Sequence, residues 1–193
     1  LEGDVLVVLS GSRKAMTGRD VARLVRRGSQ PAVAEALDRL TTQGLVHRDQ
    51  VGRAFLHSLN RRHLAAGAVE ILAGMRTELF ARLERTLSAW RKPVAHASVF
   101  GSVARGDGGP ESDVDLFLVR PAKVSEDDDE WRDQVSDLTY NVLGWTGNEA
   151  SVVEIGRRQL PTLLSSVDLA AELRADAITL SGTPIKKLLA TAA

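Results

Sequence analysis

The pair Gly101-Ser102, separated by ten residues from Asp113-Val114-Asp115, constrains this chain more than any other feature, because it requires a strand, a sharp turn and a second strand. The run from Val94 to Phe100 is apolar and β-branched enough for a buried strand, and Gly101 ends it where the backbone must turn. Ser102 then opens a short helix whose first backbone N–H groups, with the hydroxyl beside them, can hold phosphate oxygens. Arg105 adds a cation about one helical turn away, which suits a triphosphate. Gly108, Gly109 and Pro110 let the chain return into the wholly apolar strand from Leu116 to Val119. Side chains alternate along a strand, so Asp113 and Asp115 share a face about 7 Å apart, a spacing at which two carboxylates can share Mg²⁺ bridged by phosphates.

The segment from Val99 to Val119 resembles the G-S-x10-D-x-D signature of the DNA polymerase beta-like nucleotidyltransferase superfamily. Within it, the match is to the minimal group related to kanamycin nucleotidyltransferase. Ala104, Gly106, Asp107, Pro110 and Ser112 extend the likeness, and Val103 departs from it where many members carry a basic residue. The resemblance implies an α/β nucleotidyltransferase domain with a small mixed sheet, and transfer of a nucleoside monophosphate from a nucleoside triphosphate to an acceptor hydroxyl. It assigns two Mg²⁺ ions to Asp113 and Asp115, and the grip on the β and γ phosphates to Gly101, Ser102 and Arg105. It also implies a third catalytic and metal-binding carboxylate on a neighbouring strand. Glu154, an acid inside the β-branched run Ser151 to Ile155, is the candidate, although the usual residue there is Asp. The acceptor, whether protein, RNA or small molecule, is not legible. Minimal members often occur in toxin–antitoxin pairs.

Charge divides the rest of the chain. Residues 1–92 carry 16 Lys and Arg against 9 Asp and Glu, and the remainder 9 against 16, so a formal charge of zero conceals halves of +7 and −7. Such asymmetry predicts domains with different partners. The acidic run from Glu126 to Glu130 reads as the first turn of a helix capped by Ser125, where negative charge favours the helix dipole.

Residues 1–60 read as a winged helix-turn-helix domain. Val5, Leu6 and Leu9 predict a first helix, Thr17 caps a second, and Ser29 caps a third from Gln30 to about Gln43, with Val33, Ala36, Leu37 and Leu40 inward. The two runs around Val51-Gly52 form a hairpin, the wing. The stretch from Gln30 to Arg48 resembles MarR-like and ArsR-like bacterial regulators. That implies DNA contact through Arg26, Arg27, Gln30, Arg39, Arg48 and Arg53; the alternative is a dimerisation or docking module, since Glu35, Asp38 and several alanines share the exposed face. Residues 61–92 are expected to form one long linking helix, with an apolar stripe from Leu64 to Trp90 that favours a homodimer. Residues 93–193 form the nucleotidyltransferase domain, which makes the whole an α+β protein.

The chain has no cysteine, and its four histidines show no ligand spacing. No apolar run approaches the roughly 20 residues of a bilayer span, so a cytoplasmic protein without membrane contact is expected. The sequence supports an Mg²⁺-dependent nucleotidyltransferase with an attached DNA-binding-type domain. Its alternative is a transcription regulator whose second domain only senses nucleotide.

Overall fold

Apolar residues at helical spacing build the first of the two units into which the chain divides, Leu1–Met75 and Arg76–Ala193. The computed structural model describes residues 1–25, 28–109, 111–160 and 167–191. Helix α1 (Glu2–Ser10) buries Val5 and Leu9, α2 (Gly18–Leu24) buries Val21, and α3 (Gln30–Thr42) buries Val33, Ala36, Leu37 and Leu40. Both predicted caps form: Thr17 Oγ1 accepts from the Asp20 N–H at 3.2 Å, and Ser29 Oγ from the Ala32 N–H at 3.4 Å. Strand β1 (Met16–Thr17) pairs antiparallel with β3 (Ala54–Leu59), which forms a hairpin with β2 (Val46–Val51). Helix α4 (Ala66–Ala73) adds Ala66 to this core.

The predicted single helix over 61–92 is two helices. Residues 61–65 lie outside it, α4 stops with Gly74 as its cap, and α5 spans Met75–Ser88. Glycine is among the poorest helix formers, and the two halves of the stripe have different fates. Leu64, Ile71, Leu72 and Met75 are exposed, whereas Leu83 and Leu87 are buried in the second unit.

That second unit is a four-stranded mixed sheet in the order β6-β5-β4-β7. Strand β4 (His96–Val99) pairs antiparallel with β5 (Val114–Arg120) and with β7 (Ile178–Gly182), and β5 pairs parallel with β6 (Ala150–Gly156). On one face, Val114, Leu116 and Leu118 pack with Leu83 and Leu87 of α5 and with Trp131, Leu138 and Val142 of α7 (Asp129–Thr146). On the other, Phe117 and Val119 pack with Leu173 of α8 (Val167–Asp176) and with Ile185, Leu188 and Leu189 of α9 (Ile185–Thr191). Strand β5 is thus covered on both faces, as its apolar run predicts. The cap of α7 is Asp128, whose side chain accepts from the Trp131 N–H at 3.0 Å, in place of the expected Ser125. A carboxylate there satisfies the same orphan N–H and adds charge that the helix dipole favours.

A buried imidazole ties β4 to the far edge of the unit. His96 Nδ1 lies 2.7 Å from the Thr183 carbonyl oxygen and Nε2 lies 3.0 Å from Ser98 Oγ. A carbonyl only accepts, so Nδ1 carries the proton and Nε2 accepts from the Ser98 hydroxyl.

Candidate functional site

Strand β4 leads through Phe100 into a short helix, α6 (Gly101–Arg105), which Gly106 closes in the left-handed conformation at φ +74°. Gly101 is required twice over. Its φ is +67°, and a Cβ there would collide with the Asp115 carboxylate. The backbone of the turn is tied to the neighbouring strand, because the Phe100 N–H donates to the Asp115 carbonyl at 3.0 Å. The signature glycine and the second aspartate therefore touch although 14 residues separate them in sequence.

The return loop is held by its own polar groups. The Gly109 N–H donates to Ser112 Oγ at 2.8 Å, the Asn148 side-chain amide to the Ser112 carbonyl at 2.8 Å, and the Val114 N–H to the Glu149 carbonyl at 2.8 Å. These contacts fix where β5 begins, and with it the face that each carboxylate takes. Asp113 is exposed just before the strand, and Asp115 is half-buried within it, on the face of Phe117 and Val119. Burial pushes the Asp115 carboxyl above the usual carboxylate range, the charges of Asp113 and Glu172 add to the effect, and Arg105 opposes it.

Arg105 leaves the end of α6 and pairs with Asp107 at 3.2 Å and with Asp176, at the end of α8, at 2.6 Å. Sequence patterning did not single out Asp176 or Glu172. Their only signal is the i, i+4 spacing that sets both on one side of a helix, a side that no motif marks as facing the aspartates.

Glu154 corrects the expectation of a third carboxylate. In the parallel register of β5 and β6, Asp115 lies opposite Ser151, and Glu154 opposite Leu118. Glu154 therefore sits on the sheet face of Leu116 and Leu118, across the sheet from Asp115. There its carboxylate pairs with the buried Arg120 guanidinium, and its Oε1 accepts from the Trp131 indole N–H at 2.9 Å. The positions of β6 on the aspartate face are Ser151, Val153 and Ile155.

The neighbouring carboxylates of Asp113 and Asp115 are hard oxygen donors of the kind Mg²⁺ prefers. That ion commonly takes one or two protein carboxylates and completes its shell with water and substrate phosphates. The crowding of negative charge around half-buried Asp115 fits such a cation. Among the described residues no three His, Asp or Glu side chains converge to hold a metal without a ligand's help.

The residues expected to touch DNA are less available than the sequence suggests. Arg26 and Arg27 lie outside the described residues. Gln30 opens α3 and is exposed, and Arg53 is exposed in the turn of the β2–β3 hairpin. Arg39 donates from Nε to Glu2 at 2.6 Å and lies 3.9 Å from Glu35. Arg48 pairs with Asp38 at 2.7 Å, its guanidinium 5.0 Å from the Phe55 ring centre. No helix among the described residues is long and apolar enough to cross a membrane.

The family comparison falls within the second unit. Residues 82–158 match the family model described as a nucleotidyltransferase domain. No curated protein matches the sequence. Among solved structures, the chain is similar to a mutant form of the toxin–antitoxin pair MntA–HpeT, at 12% identity and a TM-score of 0.42 over 58% of this chain and 82% of that one. It is also similar to a toxin–antitoxin structure with AMP-PNP, at 16% identity and a TM-score of 0.41 over 58% and 82%. The signature turn, both aspartates and β6 lie inside the matched residues, and the second unit is that of a nucleotidyltransferase enzyme.

Proposed function

We propose that the second unit transfers a nucleoside monophosphate from an Mg²⁺-bound nucleoside triphosphate to a hydroxyl of an acceptor. The observation that carries this reading is the contact of Gly101 with the Asp115 carboxylate, which sets the phosphate-gripping turn directly against the paired aspartates. Asp113 and Asp115 would hold the metal. When bound, it would neutralise charge on the triphosphate and favour attack by the acceptor oxygen.

The backbone N–H groups at the start of α6 and the Ser102 hydroxyl hold the β and γ phosphates. Arg105, exchanging Asp176 for phosphate oxygens, adds the cation. The acceptor oxygen forms a bond to the α-phosphorus as the bond from that phosphorus to the bridging oxygen breaks. Pyrophosphate leaves with the electron pair, and the hydroxyl proton is released to water. Catalysis of this kind rests on positioning and electrostatics.

The first unit is proposed as a winged helix, with α3 and the β2–β3 hairpin as the elements that approach DNA. Arg39 and Arg48 would exchange Glu2 and Asp38 for phosphates, which predicts strongly salt-dependent binding. Outward Leu64, Ile71, Leu72 and Met75 support pairing of two chains through the region around α4.

The transfer reading is tested by incubating the protein with each of four α-labelled nucleoside triphosphates, Mg²⁺ and a bacterial lysate, beside the Asp113→Ala/Asp115→Ala variant. Label passed to an acceptor by the parent chain alone is the expected result. Nucleotide binding without any transfer would favour the sensor-regulator, a reading that the absence of a carboxylate on the aspartate face of β6 also supports.

A further inference from the structure

We infer that Arg76 is a positioning residue for the triphosphate-gripping turn, holding α6 in place from the end opposite Ser102. The inference rests on the proposed role of α6. Arg76 opens the second unit and lies in the first turn of α5, 25 residues before Gly101 and outside every motif in the sequence. Its Nη2 donates to the Ala104 carbonyl at 2.7 Å, and its guanidinium lies 5.2 Å from the Phe80 ring centre. Gly106 leaves room for it: a Cβ at that position would lie 2.7 Å from Arg76 Nη1 and 3.6 Å from Cζ. Arg76 is an exposed residue, and the hydrogen bond to Ala104 together with the Phe80 ring gives its guanidinium this seat.

The seat matters because α6 is only five residues long, far below the length at which a helix holds itself. Its direction must come from anchors. At its start, the Phe100 N–H is tied to the Asp115 carbonyl, and at its end the orphan Ala104 carbonyl takes its donor from Arg76. A cation there also complements the negative end of the peptide dipoles. Releasing this end lets the N–H groups and the Ser102 hydroxyl drift from the positions the phosphates require. The guanidinium sits at the far end of the helix from Ser102, so it acts through α6 and not on the phosphates directly.

Binding of Mg²⁺-nucleoside triphosphate, measured by calorimetry with each of the four common nucleotides, tests this without knowledge of the acceptor. Arg76→Ala should weaken the preferred triphosphate about tenfold, the cost of one charge-assisted hydrogen bond. Arg76→Lys, which keeps the charge but loses the planar fork, should fall in between. In a Ser102→Ala background the effect of Arg76→Ala should shrink to about threefold or less, because both changes disable one grip. A merely structural role would leave the two effects additive. Should the alanine variant not fold, the lysine variant carries the same cycle. Additive effects, or unchanged affinity in Arg76→Ala while Asp113→Ala/Asp115→Ala abolishes binding, would overturn the inference alone. A parent protein that binds no triphosphate would overturn the reading of the site and the inference with it.

Discussion

Gly101 carries more of the site than its lack of a side chain suggests. It accepts a positive φ that costs other residues about 1 kcal/mol or more, and it gives Asp115 the space its carboxylate occupies. Gly101→Ala should therefore lower the unfolding midpoint by several degrees and weaken nucleotide binding at least about tenfold, read by calorimetry and titration. The turn was legible in the sequence, because a glycine before a serine and two acids at fixed spacing has few chemical uses, whereas the contact with Asp115 was not. The buried histidines were not legible, since nothing in a single sequence marks His57 and His96 as interior. Burial lowers both below the ordinary histidine value, with partial opposition from backbone hydrogen bonds to Met16 and Thr183. The folded chain thus prefers them neutral and the unfolded chain binds their protons first. Their contribution is fully present above about pH 6.5 and is lost as pH falls through the lowered folded values. Urea midpoints should drop from pH 7.5 to pH 5.5, and His96→Gln should reduce that drop.

Among the elements, β6 shows what periodicity leaves open. Its composition announces a strand, but which residues face the aspartates depends on the register with β5, and a shift of one residue exchanges the faces. The pairing of Leu118 with Glu154 sends Glu154 toward Arg120 and Trp131. Glu154→Gln should then cost about 1–3 kcal/mol in a denaturant titration, because it leaves buried Arg120 with only the exposed Glu126 carboxylate, 3.7 Å away. Its nucleotide affinity should stay within about twofold of the parent. The break at Gly74 has a similar origin. One apolar stripe runs from Leu64 to Trp90 in sequence, yet its halves serve different surroundings, and a stripe does not say what will cover it.

For the whole molecule, the split of charge at residue 92 anticipates a division that the contacts place between Met75 and Arg76. The offset arises because α5 is basic in sequence but supplies Leu83 and Leu87 to the core that also contains β5. Residues 76–193, expressed alone, should fold cooperatively and bind Mg²⁺-triphosphate with the affinity of the full chain, as thermal unfolding and calorimetry would show. The central claim is that the chemistry belongs to the sheet face of Asp115 and not to that of Glu154. It is tested most directly by label transfer from an α-labelled triphosphate in Asp115→Asn and Glu154→Gln, each with its circular dichroism recorded. The account predicts that Asp115→Asn loses about 100-fold or more in rate with its fold intact, while Glu154→Gln stays within a few-fold of the parent. A folded Glu154→Gln as inactive as Asp115→Asn would contradict it.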